Sequence, residues 1–421
     1  MRLEGLQILK MSATRVVEII MKGNWQMIKP AIVAVGYNRP DGMKRLLDSI
    51  GRAKYDVSEI PLIISIDESN KSDEVEDVAK KFEWKYGTKE IRRFPSRQGL
   101  KKHIIQCGDL SEKYGAVIIL EDDLIVATDF YSYVSKAHEF YSKHEEIAGV
   151  ALYSYSYNVF THFNFMPTPS NSDVFLGQMV VTWGQSWTAK QWNRFKKWFI
   201  SHEDKLPPLN SKIPRDISGW TRSWGIYFAS YMADQNKSYL YPYVARTTCF
   251  SDYGEHNTSG IPFTFVQVPL MHDTPINYRF LNIEELECFD SFYERILRHD
   301  EMIAGIPGDM ICMDLNNMKT STHGRKYVIT NQKLPYRKIK SFGLTLRPIA
   351  MNVLEEVPGN QLHLYELPKG QNQIRKWKGK HPHYPADLRR LKYEFHDVSW
   401  RFLLYYAPLE FWSRVKDVIK R

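Results

Sequence analysis

Cysteine is scarce in this chain. Cys107, Cys249, Cys288 and Cys312 stand far apart, with no Cys-x-x-Cys pair. That spacing excludes a zinc finger and a disulfide framework, and it predicts reduced thiols in a cytosolic protein. No Gly-x-Gly-x-x-Gly follows the first apolar run, and no Gly-x-x-x-x-Gly-Lys-Ser/Thr occurs anywhere. Dinucleotide and P-loop nucleotide binding are therefore not expected. The amino terminus has no long apolar run. Residues 15–21, Arg-Val-Val-Glu-Ile-Ile-Met, are charged and too short for a signal core or a membrane span, so residues 1–27 read as an extension. Internal repeats and low-complexity tracts are also absent.

The 43% hydrophobic and 14% aromatic content argues against disorder and for a large core. The formal net charge is +9, and it is concentrated at one end: residues 371–421 hold twelve Lys and Arg against five Asp and Glu. A basic end of this kind suggests an acidic partner, nucleic acid or an anionic membrane. No base-reading module accompanies it, which makes nucleic acid the weakest option.

From Pro30 onward, strand-like and helix-like segments alternate. Residues 31–35 and 61–66 read as buried strands, 90–94 as a short strand, and helices are expected from Asp41, over 73–86 and over 99–114. This alternation predicts an α/β fold with a mostly parallel sheet flanked by helices. The most informative stretch follows. Val117-Ile-Ile-Leu120 is a run without polar alternation, as expected for a strand covered on both faces, and it ends on Glu121-Asp122-Asp123. Open α/β sheets bind ligands at the carboxyl ends of their strands. Three adjacent carboxylates repel one another and call for a cation. An all-oxygen set suits Mg²⁺ or Mn²⁺, which commonly complete their shells with phosphate oxygens. The same triplet also reads as a solvated turn before a helix near Asp129.

Asp67 ends the second strand, where its carboxylate could accept a hydrogen bond from a base imide or act as a turn residue. Arg39, Arg92, Arg93, Arg97, Lys101 and Lys102 could hold a diphosphate, since guanidinium forks match phosphate oxygens; most such residues are simply solvated. Beyond about residue 150 the chain becomes rich in Trp, Tyr and Pro. Trp183, Trp187, Trp220 and Trp224 could stack on sugar faces, although indoles mostly bury and Trp187 and Trp224 read as core. Residues 281–421 form a third, charged zone, strand-poor until Leu344–Ile349 and Leu362–Leu367, with a helical tail.

Taken together, the Gly-Tyr-Asn-Arg-Pro loop at 36–40, the strand ending in Asp67, Gln98-Gly-Leu-Lys101 and the Glu-Asp-Asp motif resemble a nucleotide-sugar glycosyltransferase of the GT-A fold. The resemblance is to bacterial family-2-type enzymes and their N-acetylglucosaminyltransferase I-like relatives. It extends through Asp129-Phe130, Trp183-Gly184-x-x-Trp187, Ser223-Trp-Gly-Ile226 and the segment ending in His256, covering about residues 29–260. It implies a GT-A domain over 28–280, with a nucleotide-binding half at 28–130 and an acceptor half at 131–280, followed by a carboxy-terminal extension at 281–421.

The resemblance further implies that Arg39, Asp67, Lys101, Glu121 and Asp122 hold a nucleotide-sugar, a UDP-sugar in the first instance. Asp123 would bind Mn²⁺ or Mg²⁺, with His256 as a further metal or phosphate ligand. An inverting transfer needs a carboxylate base for the acceptor hydroxyl. Asp216 is preferred and Asp252 is a rival, as are Glu203 and Asp204. Thr221 follows Trp220 where some relatives offer an acid, so the base and the stereochemical outcome stay open. The implied acceptor is a glycan, plausibly lipid-linked, in a bacterial surface polysaccharide pathway. In the tail, Phe411, Trp412, Val415, Val418 and Ile419 fall on one helix face among basic residues. That pattern suits peripheral contact with the inner face of the cell membrane, or packing on a partner. The alternative of a different class is a non-catalytic glycan-binding or assembly subunit on the same fold.

Overall fold

The computed structural model describes residues 28–168, 170–203, 212–215, 217, 223–250, 266–273, 277–374 and 390–394, together with 404–405, 407–409, 411–412 and 415 of the tail. The first part alternates as the sequence predicts: β1 (Ala31–Gly36), α1 (Pro40–Arg52), β2 (Leu62–Ile66), α2 (Ser72–Lys81), β3 (Lys89–Arg93), α3 (Leu100–Gly108), α4 (Leu110–Tyr114) and β4 (Ala116–Glu121). Next come β5 (Leu124–Val126), α5 (Phe130–Phe140), β6 (Ile147–Ala151), β7 (Val174–Gly177), β8 (Gln185–Thr188) and α6 (Ala189–Ile200). They lead to α7 (Gly225–Asp234), β9 (Ser238–Pro242), β10 (Thr247–Cys249), β11 (Cys288–Phe289) and β12 (Arg295–Ile296).

Among the described residues, ten strands form one mixed sheet in the order β12-β11-β7-β9-β6-β8-β4-β1-β2-β3. Five of its nine neighbouring pairs are parallel, including the whole run β4-β1-β2-β3. The central strands are apolar on both faces because both faces are covered. Val33, Ile63, Val117 and Ile119 enter one core with Trp187, Trp192, Trp224 and Phe228. Their neighbours Ile32, Ile64, Ile118 and Leu120 enter the other with α1 and α5. Helix α1 starts on Pro40 at its first position and buries Met43, Leu46, Leu47 and Ile50, spaced as one helical stripe. Helix α6 starts with a capping box between Thr188 and Gln191 and buries Trp192, Phe195 and Phe199. Among the described residues the sheet ends at β3, whose sequence is Lys-Glu-Ile-Arg-Arg and whose far side has no strand neighbour.

Three expectations need correction. The helix expected over 99–114 is two helices, because Asp109 at the break is tied to α6: it accepts from Trp192 Nε1 at 2.8 Å and pairs with Lys196 at 2.6 Å. The third zone is not strand-poor. The large sheet takes β11 and β12 from beyond residue 280, and a β-ribbon follows, β13 (Met302–Ile303) with β14 (Ile306–Pro307). A second sheet is then built from β15 (Ile311–Asp314), β16 (Tyr327–Thr330), β17 (Arg337–Phe342) and β18 (Leu362–Glu366), in the order β15-β16-β18-β17. Its core holds Ile311, Met313, Ile329, Val353, Leu362 and Leu364. These strands are short and β17 is mostly charged, so apolar periodicity does not reveal them. Leu344–Ile349 is not a strand. It wraps the amide of Asn352, which accepts from the Thr345 and Leu346 N–H groups at 2.6 and 2.8 Å.

Candidate functional site

The parallel strands β1, β2 and β4 all deliver their carboxyl ends to one edge of the large sheet. Beyond β1 come Tyr37 and Arg39, beyond β2 comes Asp67, and Glu121, Asp122 and Asp123 close β4. The strand order therefore brings together residues up to 86 positions apart in sequence. Helix α1 packs its first turn directly on the triplet. A Cβ at Gly42 would lie 2.6 Å from the Asp122 carbonyl oxygen, so only glycine allows that approach.

Arg39 is the centre of the cluster. Its guanidinium donates to Asp122 Oδ1 and lies 3.7 Å from Asp123 Oδ2. The other Asp122 oxygen accepts the Tyr37 N–H at 3.3 Å. Asp122 is only 3% exposed, whereas the side chain of Asp123 keeps 20% of its surface open. Burial pushes the Asp122 carboxyl up to about 6, against the pull of Arg39 and with the help of Asp123. Burial and the charges of Asp123 and Asp122 push Glu121 well above the carboxylate range, with Arg39 opposing. Burial alone would lower Arg39, but Asp122 and Asp123 outweigh it and hold the guanidinium above its ordinary value. The edge therefore carries more negative charge than Arg39 neutralises.

Asp67 is buried and bonded to three backbone N–H groups. One oxygen accepts from Gln98 N–H at 2.7 Å and Glu68 N–H at 2.9 Å, and the other from Gly99 N–H at 2.9 Å. It thereby fixes the turn that starts α3 at the same edge. A carboxylate has about four acceptor positions, so three bonds leave room for one more donor. Arg97 lies over the Tyr37 ring, 4.9 Å from its centroid, and Lys101 over the Tyr227 ring of α7 at 5.0 Å. Arg92 and Arg93 are directed elsewhere. Arg92 donates to the Gln106 carbonyl at 3.2 Å, and Arg93 pairs with Glu68, Asp73 and Glu76.

The far wall comes from residues that the sequence does not single out. β10 pairs with β5, immediately after the triplet, and Phe250 N–H donates to the Asp123 carbonyl at 2.7 Å. Arg45 of α1 covers the Phe250 ring at 3.9 Å. Cys249 is buried here, and burial together with Asp123 and Glu121 pushes its thiol up, keeping it neutral. Asp129, expected at a helix start, makes no side-chain cap bond. It forms a fully buried ion pair with Arg246 at 3.2 Å and accepts from Tyr278 Oη at 2.9 Å. No local signal links positions 129 and 246; the pair locks the start of α5 to the strand beside the triplet.

Asp216, Asp252 and His256 lie outside the described residues, as do Asp204 and Trp220. Phe250, two positions before Asp252, is the residue bonded to Asp123. Glu203 is exposed at the end of α6. Trp187 and Trp224 are fully buried, as expected, and Trp183 is half-buried. Among the described residues no group of three His, Cys, Asp or Glu side chains converges as a metal cage. An oxygen-only set with one partly open carboxylate still fits Mg²⁺ or Mn²⁺, which are usually held by one or two carboxylates plus phosphate and water.

No family model matches this chain, and neither does any curated protein. Solved structures do. One is GalNAc-T7 with UDP, GalNAc and Mn²⁺, at 12% identity and a TM-score of 0.38, covering 53% of this chain and 44% of that one. Another is S. aureus TarS 1-349, at 10% identity and a TM-score of 0.31, over 52% of this chain and 59% of that one. The same TarS fragment in complex with UDP-GlcNAc matches at 10% identity and a TM-score of 0.32, over 55% and 61%. The chain thus spans less than two thirds of each of these structures.

Proposed function

We propose that the protein is a metal-dependent, inverting glycosyltransferase that moves a sugar from a UDP-sugar to a glycan acceptor. The observation that carries this reading is the Arg39–Asp122–Asp123 cluster at the carboxyl edge of the parallel strands, where carboxylates outnumber the cation between them. Asp123, the more open carboxylate, is the metal ligand, with His256 as a further one. Asp123 would hold a divalent cation here, and the ion, when bound, would supply positive charge to the departing diphosphate. Asp122 holds Arg39 in place, and Arg39, Arg97 and Lys101 face the nucleotide and its phosphates as a fixed field that needs no reorganisation during the reaction. Asp67 fixes the 98–99 turn and keeps an acceptor position for the base imide. As the acceptor oxygen bonds to the anomeric carbon and the diphosphate leaves, the hydroxyl proton passes to a carboxylate from Asp216 or Asp252.

Hydrolysis of UDP-sugars tests this reading. The wild type is expected to release UDP slowly in Mn²⁺, and Asp123→Ala to lose that release by about 10²-fold or more, the scale of a lost electrostatic group. Unchanged release in Asp123→Ala would remove the metal assignment. Absence of both release and any UDP-dependent rise in melting temperature would favour a non-catalytic subunit.

The acceptor in this reading is a lipid-linked glycan of a bacterial surface polysaccharide, met at the inner face of the cell membrane. The tail supports it: Leu404, Tyr405, Leu409, Phe411 and Trp412 are each more than half exposed in a strongly basic stretch. Among the described residues no helix is long and apolar enough to cross a membrane, so any contact through this tail would be interfacial. Full-length protein should float with anionic liposomes, and protein truncated before residue 396 should not; equal flotation would remove the tail from the model of membrane contact.

A further inference from the structure

Trp183 stands beside the acid triplet without belonging to either core alone. The β4–β8 ladder ends where Ile119 pairs with Gln185, two positions after Trp183, and Thr247, which bonds the Trp183 backbone, belongs to β10, whose Cys249 pairs with Leu124 next to the triplet. Its ring packs against the cores on both faces of the sheet. Tyr153 meets it edge-on with centroids 4.8 Å apart, and Tyr155 lies at 5.9 Å. The backbone is pinned: Thr247 Oγ1 donates to the Trp183 carbonyl at 2.6 Å. The next residue, Gly184, has φ +97, and a Cβ there would come within 2.8 Å of Thr247. The indole is thus held half-buried at the edge where the site lies.

Its N–H distinguishes it from the other indoles. Trp84 donates to the Ile60 carbonyl, Trp187 to Tyr239, Trp192 to Asp109 and Trp198 to Asp234, at 2.8 to 3.1 Å. Trp224 has no partner but is sealed inside the core. Among the described residues of the large-sheet region, Trp183 alone combines a half-open ring with an indole N–H that has no hydrogen-bond acceptor among the described residues and is not closed off from outside; Trp412, in the tail, lies open on the surface. A pyranose ring offers the complementary chemistry: a patch of C–H groups for the electron-rich aromatic face, and rim hydroxyls that accept from an N–H.

We propose that Trp183 is the platform for the transferred sugar of the nucleotide-sugar donor, its ring taking the C–H face and its Nε1–H donating to a hydroxyl. This rests on the nucleotide-sugar reading above. The sugar is bonded directly to the diphosphate, and Trp183 immediately precedes β8, the antiparallel neighbour of the strand that carries the triplet, at the end of β8 that faces the triplet, so a sugar departing from phosphates held there is within its reach.

The test compares UDP with UDP-glucose and UDP-N-acetylglucosamine, by calorimetric titration in Mn²⁺, on wild type, Trp183→Ala and Trp183→Phe. At least one UDP-sugar should bind wild type more tightly than UDP does. In Trp183→Ala its Kd should rise roughly ten-fold, the scale of one lost aromatic stack, while the Kd of UDP stays within about two-fold. Trp183→Phe, which keeps a ring face, should recover most of the difference. Equal weakening of UDP and UDP-sugar in Trp183→Phe would show that Trp183 only supports the fold there. Unchanged UDP-sugar binding in Trp183→Ala, or no advantage of either UDP-sugar over UDP in wild type, would also overturn the proposal. Failure of UDP itself to bind wild type would instead sink the nucleotide-sugar reading and this inference with it.

Discussion

Two places in this molecule concentrate carboxylates around cations, and they are finished differently. At the carboxyl edge, Glu121, Asp122 and Asp123 share Arg39, and Asp123 stays partly open. Where the second sheet meets the first, Lys319 is buried against Asp290 and also donates to the Met313 carbonyl at 2.6 Å. Nearby, Arg390 and Glu394 form a buried pair at 2.6 Å, and Asn164 donates to the second Glu394 oxygen at 2.8 Å. Glu294 accepts the Asn316 N–H at 2.6 Å. The junction is largely closed to solvent, and Asp290 and Glu394 each meet a cation inside it; the edge keeps a partly open carboxylate facing out. Charge that is sealed specifies how parts of a chain meet, whereas charge left open is available to a ligand of opposite sign.

That contrast can be broken at the junction first. Lys319→Met leaves Asp290 without its cation in a mostly buried setting and should lower unfolding free energy by about 3 kcal/mol, measured in urea, since stripping one partner from a buried pair costs on that order. A loss no larger than that of a surface substitution would mean the junction is wetter than its geometry indicates. A pH comparison sharpens the point. Burial pushes the Glu294 carboxyl up to about 8, with Lys319 opposing and Asp314 and Asp290 assisting. Because the folded state holds this proton more tightly than the unfolded chain, its stabilising contribution is complete below about pH 4.3 and shrinks as pH rises, levelling off near 8. Glu294→Gln removes that dependence. Relative to wild type it should gain roughly 1 kcal/mol of stability per pH unit across that window, and parallel stability curves would count against the assignment. The smallest stability effect belongs to the open edge: Asp123→Ala should change unfolding free energy by within about 1 kcal/mol, because it relieves repulsion while leaving the Arg39–Asp122 pair intact. A larger loss would make Asp123 a structural residue.

Much of the parallel half is legible in the sequence, because its strands are uninterrupted apolar runs and its helices carry clean stripes. The acid triplet is legible for the same reason, as charge set hard against a buried strand. Three features are not. The second sheet is hidden by its short, partly charged strands. The Asp129–Arg246 pair joins residues 117 positions apart, and at the local level Asp129 looks like an ordinary helix start. The backbone engagement of Asp67 depends on where the 96–99 turn folds back, which no residue type announces. Arg93 shows the reverse case: grouped by sequence with phosphate-binding cations, it is claimed by three carboxylates around α2.

The flank formed by β3 has a consequence for how the protein behaves in a crowd. Among the described residues, a sheet this wide ends in a row of amide and carbonyl groups without a strand partner, a template on which another copy could lay a strand. Four of the five β3 residues are charged. Lys89 turns back to the Ala79 and Lys80 carbonyls at the end of α2, and Arg93 gathers Glu68, Asp73 and Glu76. An incoming strand would have to dismantle those pairs and desolvate their ions before gaining its first ladder bond. The wide sheet thus ends in a guard against fibre growth, a flank on which the sheet does not propagate from copy to copy.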